Sequence, residues 1–275
     1  MNASQEFPSF DVLLPDLNKS ILELIKDYRA GKINSWEELE ERVNAFFTPE
    51  RMDEVESIVP GWRKMASSSD GVTLVHVMCV FLGLVMLPEF QNLSPEQQQL
   101  AKWIVLFHDV EKAHVRGKKD LTHAFRSAVL TAGRLKTLGF ITTEEHESLL
   151  DSWSELTASA VTKLDESSDY IQDNHKLPSI VEGIGRMFGE NTPATLITEG
   201  VLLHMSIDVV EDYPQAAPLR DEEIKRYVNT DLVPLLKVMM LADNEGWVMF
   251  YPEDRLKQRN QTLKVFENVE RLISI

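Results

Sequence analysis

Apolar residues recur along this chain at the spacing of helix faces, and strict apolar–polar alternation is nearly absent. A period near 3.6 buries one stripe of a helix, whereas a half-buried strand needs a period of two. The pattern therefore predicts an all-α protein. Ser35-Trp36-Glu37-Glu38 and Ser94-Pro95-Glu96-Gln97 have the form of capping boxes, the second with proline in the first turn. Thr48-Pro49 and Thr192-Pro193 open further helices, and Gly31 and Gly139 read as stops. The expected helices cover 16–30, then segments opening at Ser35 and Thr48, and one carrying His76 and capped by Asp70. Next come a helix from Ser94 to His108, one from Thr122 to Gly139, one over 142–164 and one over 179–188. One from Thr192 bears His204 and Asp208, one runs from Thr230 to Asp243, and the last covers 253–273, packing through Leu256, Leu263, Phe266, Val269 and Leu272. The stretches 60–70, 165–176 and 213–218 read as loops.

At 275 residues the chain can bury a substantial core. The serine-rich stretch 60–70 is the best internal boundary, dividing an N-terminal helical extension (1–60) from the main domain (61–275), on which it is expected to pack. A net charge of −16 argues against nonspecific nucleic-acid binding, which needs cations to neutralise phosphates, and against anionic membrane surfaces. Lys112, His114, Arg116, Lys118 and Lys119 form a local basic exception. Cys79 is the single cysteine, so no intrachain disulfide forms, and inside an apolar helix it reads as a core residue. The first ten residues show no signal-like pattern, and the apolar run 72–87 is short of the roughly 20 residues of a membrane span. A soluble, cytoplasmic protein is expected. Glycine-rich phosphate loops, nucleophile elbows and paired-cysteine motifs are absent, and the aromatic residues fall at core-like positions rather than suggesting a base-stacking surface.

The chemistry-bearing residues are histidines and aspartates. His108-Asp109 closes an apolar run, His76 stands on the apolar helix before it, and His123, His204 and Asp243 lie on later helical segments. Imidazoles and carboxylates suit divalent metals. Each residue alone also fits a plainer role, since a histidine on an apolar helix is more often a hydrogen-bonded core residue. Neighbours in mid-helix diverge by about 100°, but at a helix end the backbone can turn His108 and Asp109 toward one point. Asp243 ends the run Val238-Met239-Met240-Leu241-Ala242. A carboxylate buried there needs a partner, which a metal or a salt bridge would supply.

Together these residues resemble the HD superfamily of metal-dependent phosphohydrolases, over roughly 72–247. The pattern is His76, then Leu106-Phe107-His108-Asp109-Val110-Glu111-Lys112, then Leu241-Ala242-Asp243, with His123-Ala124-Phe125-Arg126-Ser127-Ala128 similar to the helix after the motif. The resemblance implies an HD-type helical bundle in which His76, His108, Asp109 and Asp243 hold a divalent ion, of the group Mn, Ni, Co, Zn, Fe and Mg. It implies hydrolysis of a nucleotide or other small phosphate ester by activated water, with Asp109 helping to position the nucleophile. Lys112, with Arg116 or Lys119, would meet the phosphoryl oxygens. His123 and His204 would bind a second metal or the substrate, and Asp208, one turn beyond His204, could orient its ring. Glu111 stands where many members have glycine, and could tune the metal, bind a second cation or face solvent. Two rivals remain: an HD-type module kept for binding or regulation, and a di-iron oxygenase. Homo-oligomerisation is left open.

Overall fold

The computed structural model describes residues 7–112, 120, 122–163, 170–209, 211 and 217–274, and within them the chain is helical apart from one small hairpin. It opens with α1 (Phe10–Leu13), α2 (Pro15–Arg29), α3 (Trp36–Phe46) and α4 (Pro49–Ile58). The side chains of Ser35 and Thr48 accept the amides of Glu38 and Arg51, so the local start signals work as read. Residues 60–70 are not the expected loop. They hold α5 (Trp62–Ser67), because Trp62, Met65 and Ala66 are buried and their packing outweighs the flanking turn-forming residues. Ser69, Asp70 and Gly71 then take positive φ (55°, 56° and 90°) before α6 (Val72–Met86) begins. Asp70 is therefore not the cap of α6. The N-cap position falls on Gly71, which tolerates the left-handed turn and has no side chain to accept a first-turn amide.

α6 is buried on nearly every side. The stretch Trp62–Met86 is long and apolar enough to cross a membrane, yet 67% of its apolar window lies inside the fold, as in the core helix of a soluble protein. After α7 (Pro88–Gln91) comes α8 (Pro95–Phe107), whose capping box forms in full between Ser94 and Gln97. α9 (His123–Leu135) tightens into a 3₁₀ turn that stops at Gly139. α10 (His146–Ser159) is shorter than expected, because the chain turns into β1 (Val161–Lys163), antiparallel to β2 (Tyr170–Gln172).

α11 (Leu177–Phe188) leads to α12 (Pro193–Leu203), which ends before Asp208. The stretch 213–216 lies outside the described residues. α13 (Asp221–Tyr227) precedes α14 (Val233–Val248), which starts at Val233, with Pro234 in its first turn, rather than at Thr230. α15 (Pro252–Ile273) closes the chain with Phe266 and Val269 buried, whereas Leu256 is exposed.

The helix packing fixes the site. α2 and α3 lie on α6, and α14 runs along α6 and α8. α12 lies against α8, α9 and α14. The C-terminal ends of α8, α12 and α14 thereby meet the N-terminal ends of α6 and α9. Gly246 allows α14 its close approach, since a Cβ there would stand 2.9 Å from Val80 Cγ2 and 3.2 Å from the His76 ring.

Candidate metal centre

Six predicted residues converge where those helix ends meet. His76 comes from α6, His108 and Asp109 from the end of α8, His123 from the start of α9, His204 from the end of α12 and Asp243 from α14. His76, His108, Asp109, His123 and His204 are each no more than 2% exposed, a depth at which ionisable groups need partners. Their atoms sort into two trios that could each hold an ion, His76/His108/Asp243 and Asp109/His123/His204, with ligand atoms within 4.8 Å of one another. Asp109 stands between them. Its Oδ2 lies 3.7 Å from His76 Nε2 and 3.6 Å from His108 Nε2, while Oδ1 lies 2.8 Å from His123 Nε2. Asp243 Oδ1 is 2.9 Å from His76 Nε2.

Backbone carbonyls set three of the ring tautomers. His108 Nδ1 is 2.7 Å from the Val105 carbonyl, His204 Nδ1 is 2.7 Å from Val201, and His123 Nδ1 is 2.5 Å from Asp120. A carbonyl only accepts, so each Nδ1 carries the proton, and in the neutral ring Nε2 is a bare lone pair. α8 and α12 end one residue before their histidines, so the rings take up carbonyls that the last helical turn leaves orphaned. The lone pairs then point at each other. His123 Nε2 lies 3.1 Å from His204 Nε2 as well as 2.8 Å from the Asp109 carboxylate, and His108 Nε2 is buried with no hydrogen-bond partner.

Such a convergence of acceptors needs a cation or added protons. Burial, with His123 and His108 beside it, pulls the pKa of His204 down to about 3, so this ring resists protonation. Burial likewise lowers His76, outweighing the pull of Asp243. The donor set therefore fits a divalent ion of the imidazole- and carboxylate-binding class.

Burial alone would raise the carboxyl of Asp109, but His108, Lys112 and His123 outweigh it and hold Asp109 well below the usual carboxylate range. Asp243 is lowered in the same way, burial being overcome by its bond to His76. Lys112 donates to Asp109 Oδ2 at 2.7 Å. Burial disfavours its charge, yet Asp109 and Asp243 raise its pKa overall, so it stays an ammonium. Its side chain keeps 24% exposure, which leaves it facing both the cluster and solvent.

Other expectations fall elsewhere. Asp208 does not orient His204, because α12 stops at Leu203, the Val201 carbonyl holds Nδ1, and Asp208 lies exposed beyond the helix. Glu111 points away from the cluster to Lys64, 3.4 Å away. Arg116 and Lys119, with His114 and Lys118, lie outside the described residues. His146 is a buried core histidine bonded to the Ala132 carbonyl, and His175 is exposed. Burial pushes the Cys79 thiol up, as befits a core residue.

Two contributors escaped the sequence reading. Asp120 supplies the carbonyl that fixes His123, while its carboxylate pairs with Arg126, which also donates to the Glu111 carbonyl at 3.2 Å. Trp247 lies flat on His76, with ring centroids 3.9 Å apart and planes within 16°. Asp120 and Arg126 stand six residues apart, outside the i,i+3 and i,i+4 spacings that signal a helical ion pair. The tryptophan contact left no local signal.

Compared with known proteins, the chain matches no protein family, no curated protein and no solved structure. Fold and site together define an all-α protein with a buried His/Asp cluster that could hold metal and is compatible with an HD-type site.

Proposed function

We propose that this protein is a divalent-metal-dependent phosphohydrolase acting on a nucleotide or other small phosphate ester. The observation that carries the reading is the set of bare Nε2 atoms turned on Asp109, an arrangement that a cation satisfies and a closed core does not need. His76, His108 and Asp243 would hold one ion, His123 and His204 a second, and Asp109, with one oxygen toward each trio, both. A divalent ion bound there supplies Lewis-acid polarisation of a phosphoryl group and a lowered pKa for water. The chain's own residues do the rest. Lys112 offers a fixed positive charge at the rim for phosphoryl oxygens. Asp109, kept ionised and buried, fixes the lysine and the histidines in place.

The test is elemental analysis of tag-free protein, followed by a phosphoester panel on the wild type and His108→Ala. One or two equivalents of metal, and turnover lost in the folded variant, are expected. Turnover retained in His108→Ala, or no metal even after reloading with Mn²⁺, Fe²⁺ or Ni²⁺, would overturn the proposal. The second outcome would favour a binding or regulatory module. The two-trio geometry also fits a di-iron oxygenase, which iron content and substrate-dependent oxygen uptake would single out.

A further inference from the structure

Three of the four histidines in the cluster are fixed from behind, His108, His123 and His204 each by a carbonyl at Nδ1. His76 is not. Its Nδ1 is buried with no hydrogen-bond partner among the described residues. Its bond to Asp243 reaches only Nε2, and the last torsion of an imidazole is broad, so the plane of the ring needs another support. α14 supplies it. The backbone of Gly246 closes on the Nδ1 edge, where a Cβ would stand 3.2 Å from Nδ1 and Cε1. The indole of Trp247 covers one face, with ring centroids 3.9 Å apart and planes within 16°. Trp247 is itself 45% exposed and is held by what it touches. Trp36, from the first turn of α3, lies parallel to it within 6° at a centroid separation of 6.2 Å, and Lys112 Nζ stands 5.6 Å from its ring centre.

We propose that Trp247 is a positioning residue of the metal centre. Stacked on His76 and braced by Trp36, it sets the plane of the imidazole for the His76/His108/Asp243 trio, so the N-terminal helices complete that trio and leave the other independent. This deepens the reading above and rests on its metal centre, not on its phosphoester chemistry. Removing a group that orients a ligand without touching the ion typically costs about ten- to a hundredfold in metal affinity. For three of the rings that group is a carbonyl, and for His76 it is the face of an indole. The His123 and His204 rings are anchored by the Asp120 and Val201 carbonyls, so loss of the indole leaves them in place. The same indole meets Lys112 through cation–π attraction, which ties the rim ammonium to the ring that orients His76.

The test is calorimetric titration of the full chain, stripped of metal, with Co²⁺. His76→Ala and His123→Ala identify the ion that belongs to each trio. Trp247→Ala is expected to weaken the His76 ion at least about tenfold and to leave the His123 ion within about twofold. Trp247→Phe, which keeps a stacking face, should recover most of the loss, and Trp247→Leu, apolar but not planar, should not. Trp36→Ala should weaken the same ion about threefold, and it reads the brace even if Trp247→Ala fails to fold. If the His76 ion is unmoved by both alanine variants, if both ions weaken equally, or if leucine serves as well as phenylalanine, the positioning role is overturned and the metal reading stands. If the wild type takes up no Co²⁺, the metal reading is overturned, and the role of Trp247 with it.

Discussion

Replacing Glu199 with glutamine should stabilise this protein progressively as the solution becomes more alkaline. Glu199 sits on α12, 5% exposed, with Oε2 lacking a hydrogen-bond partner. Burial, and secondly the Glu190 carboxylate, push its pKa from 4.5 up to about 8. In the unfolded chain the group ionises at its ordinary value. Between the two values the folded state holds a proton that the unfolded state has released. The sign follows: stability is full below the unfolded pKa and is lost as pH rises through the folded one. Between pH 5 and pH 8 the wild type should lose about 3 kcal/mol from this group alone. Glutamine keeps the shape and cannot ionise, so the advantage of Glu199→Gln should widen by about 3 kcal/mol over that interval. Urea unfolding at both pH values, followed by circular dichroism, measures the gap. A gap that stays constant would refute the assignment of a neutral buried carboxyl on the helix that carries His204.

Other perturbations probe the cluster and its supports. Asp109→Asn keeps the side-chain shape but replaces one oxygen with a donor between the trios, so metal content should fall at both; unchanged metal equivalents would contradict its central place. Gly246→Ala puts a methyl group 3.2 Å from the His76 ring and 2.9 Å from Val80, and should cost about 1–3 kcal/mol in a melt. It should also weaken metal uptake by the His76 trio more than by the His123 trio, which a metal titration resolves. Gly200→Ala meets Ile104 Cδ1 at 2.5 Å, so it should destabilise by about 1–3 kcal/mol. Adding Ile104→Val should recover part of that loss, and a double-mutant cycle reads the coupling.

Most helix starts were legible because they are written in three or four adjacent residues. Ser94 and Gln97 satisfy each other's backbone donors whatever the rest of the chain does. Helix ends and loops depend on what lies opposite in space. The stretch 60–70 is full of turn-forming residues, and only the pocket that takes Trp62 and Met65 makes α5 a helix. Likewise Leu256 keeps helical register with Leu263 and Phe266 yet points to solvent, while Arg255 and Arg259 on either side of it reach Glu245 and Glu89. A period reveals that a face exists, not how far its partner reaches.

The candidate site divides along the same line. His76, His108, Asp109 and Asp243 stand out because polar, ligand-capable groups interrupt apolar runs, and burial makes His76, His108 and Asp109 demand partners. Their sorting into two trios rests on pairs distant in the chain, such as His123 with His204, 81 residues apart, and His76 with Asp243, 167 apart. No local rule reaches that far. One detail was nearer to hand. His108, His123 and His204 each bond the carbonyl three residues earlier, and for two of them that carbonyl belongs to the last turn of a helix ending just before the histidine. A histidine placed immediately after an apolar helix can cap an orphaned carbonyl with Nδ1 and is then obliged to present Nε2 outward. The helix end thus selects the tautomer that a metal requires. The stacked tryptophans show the opposite case. Trp247 stacks on His76 and Trp36, both far from it in the chain, and stays 45% exposed, a placement that nothing in the adjacent sequence announces.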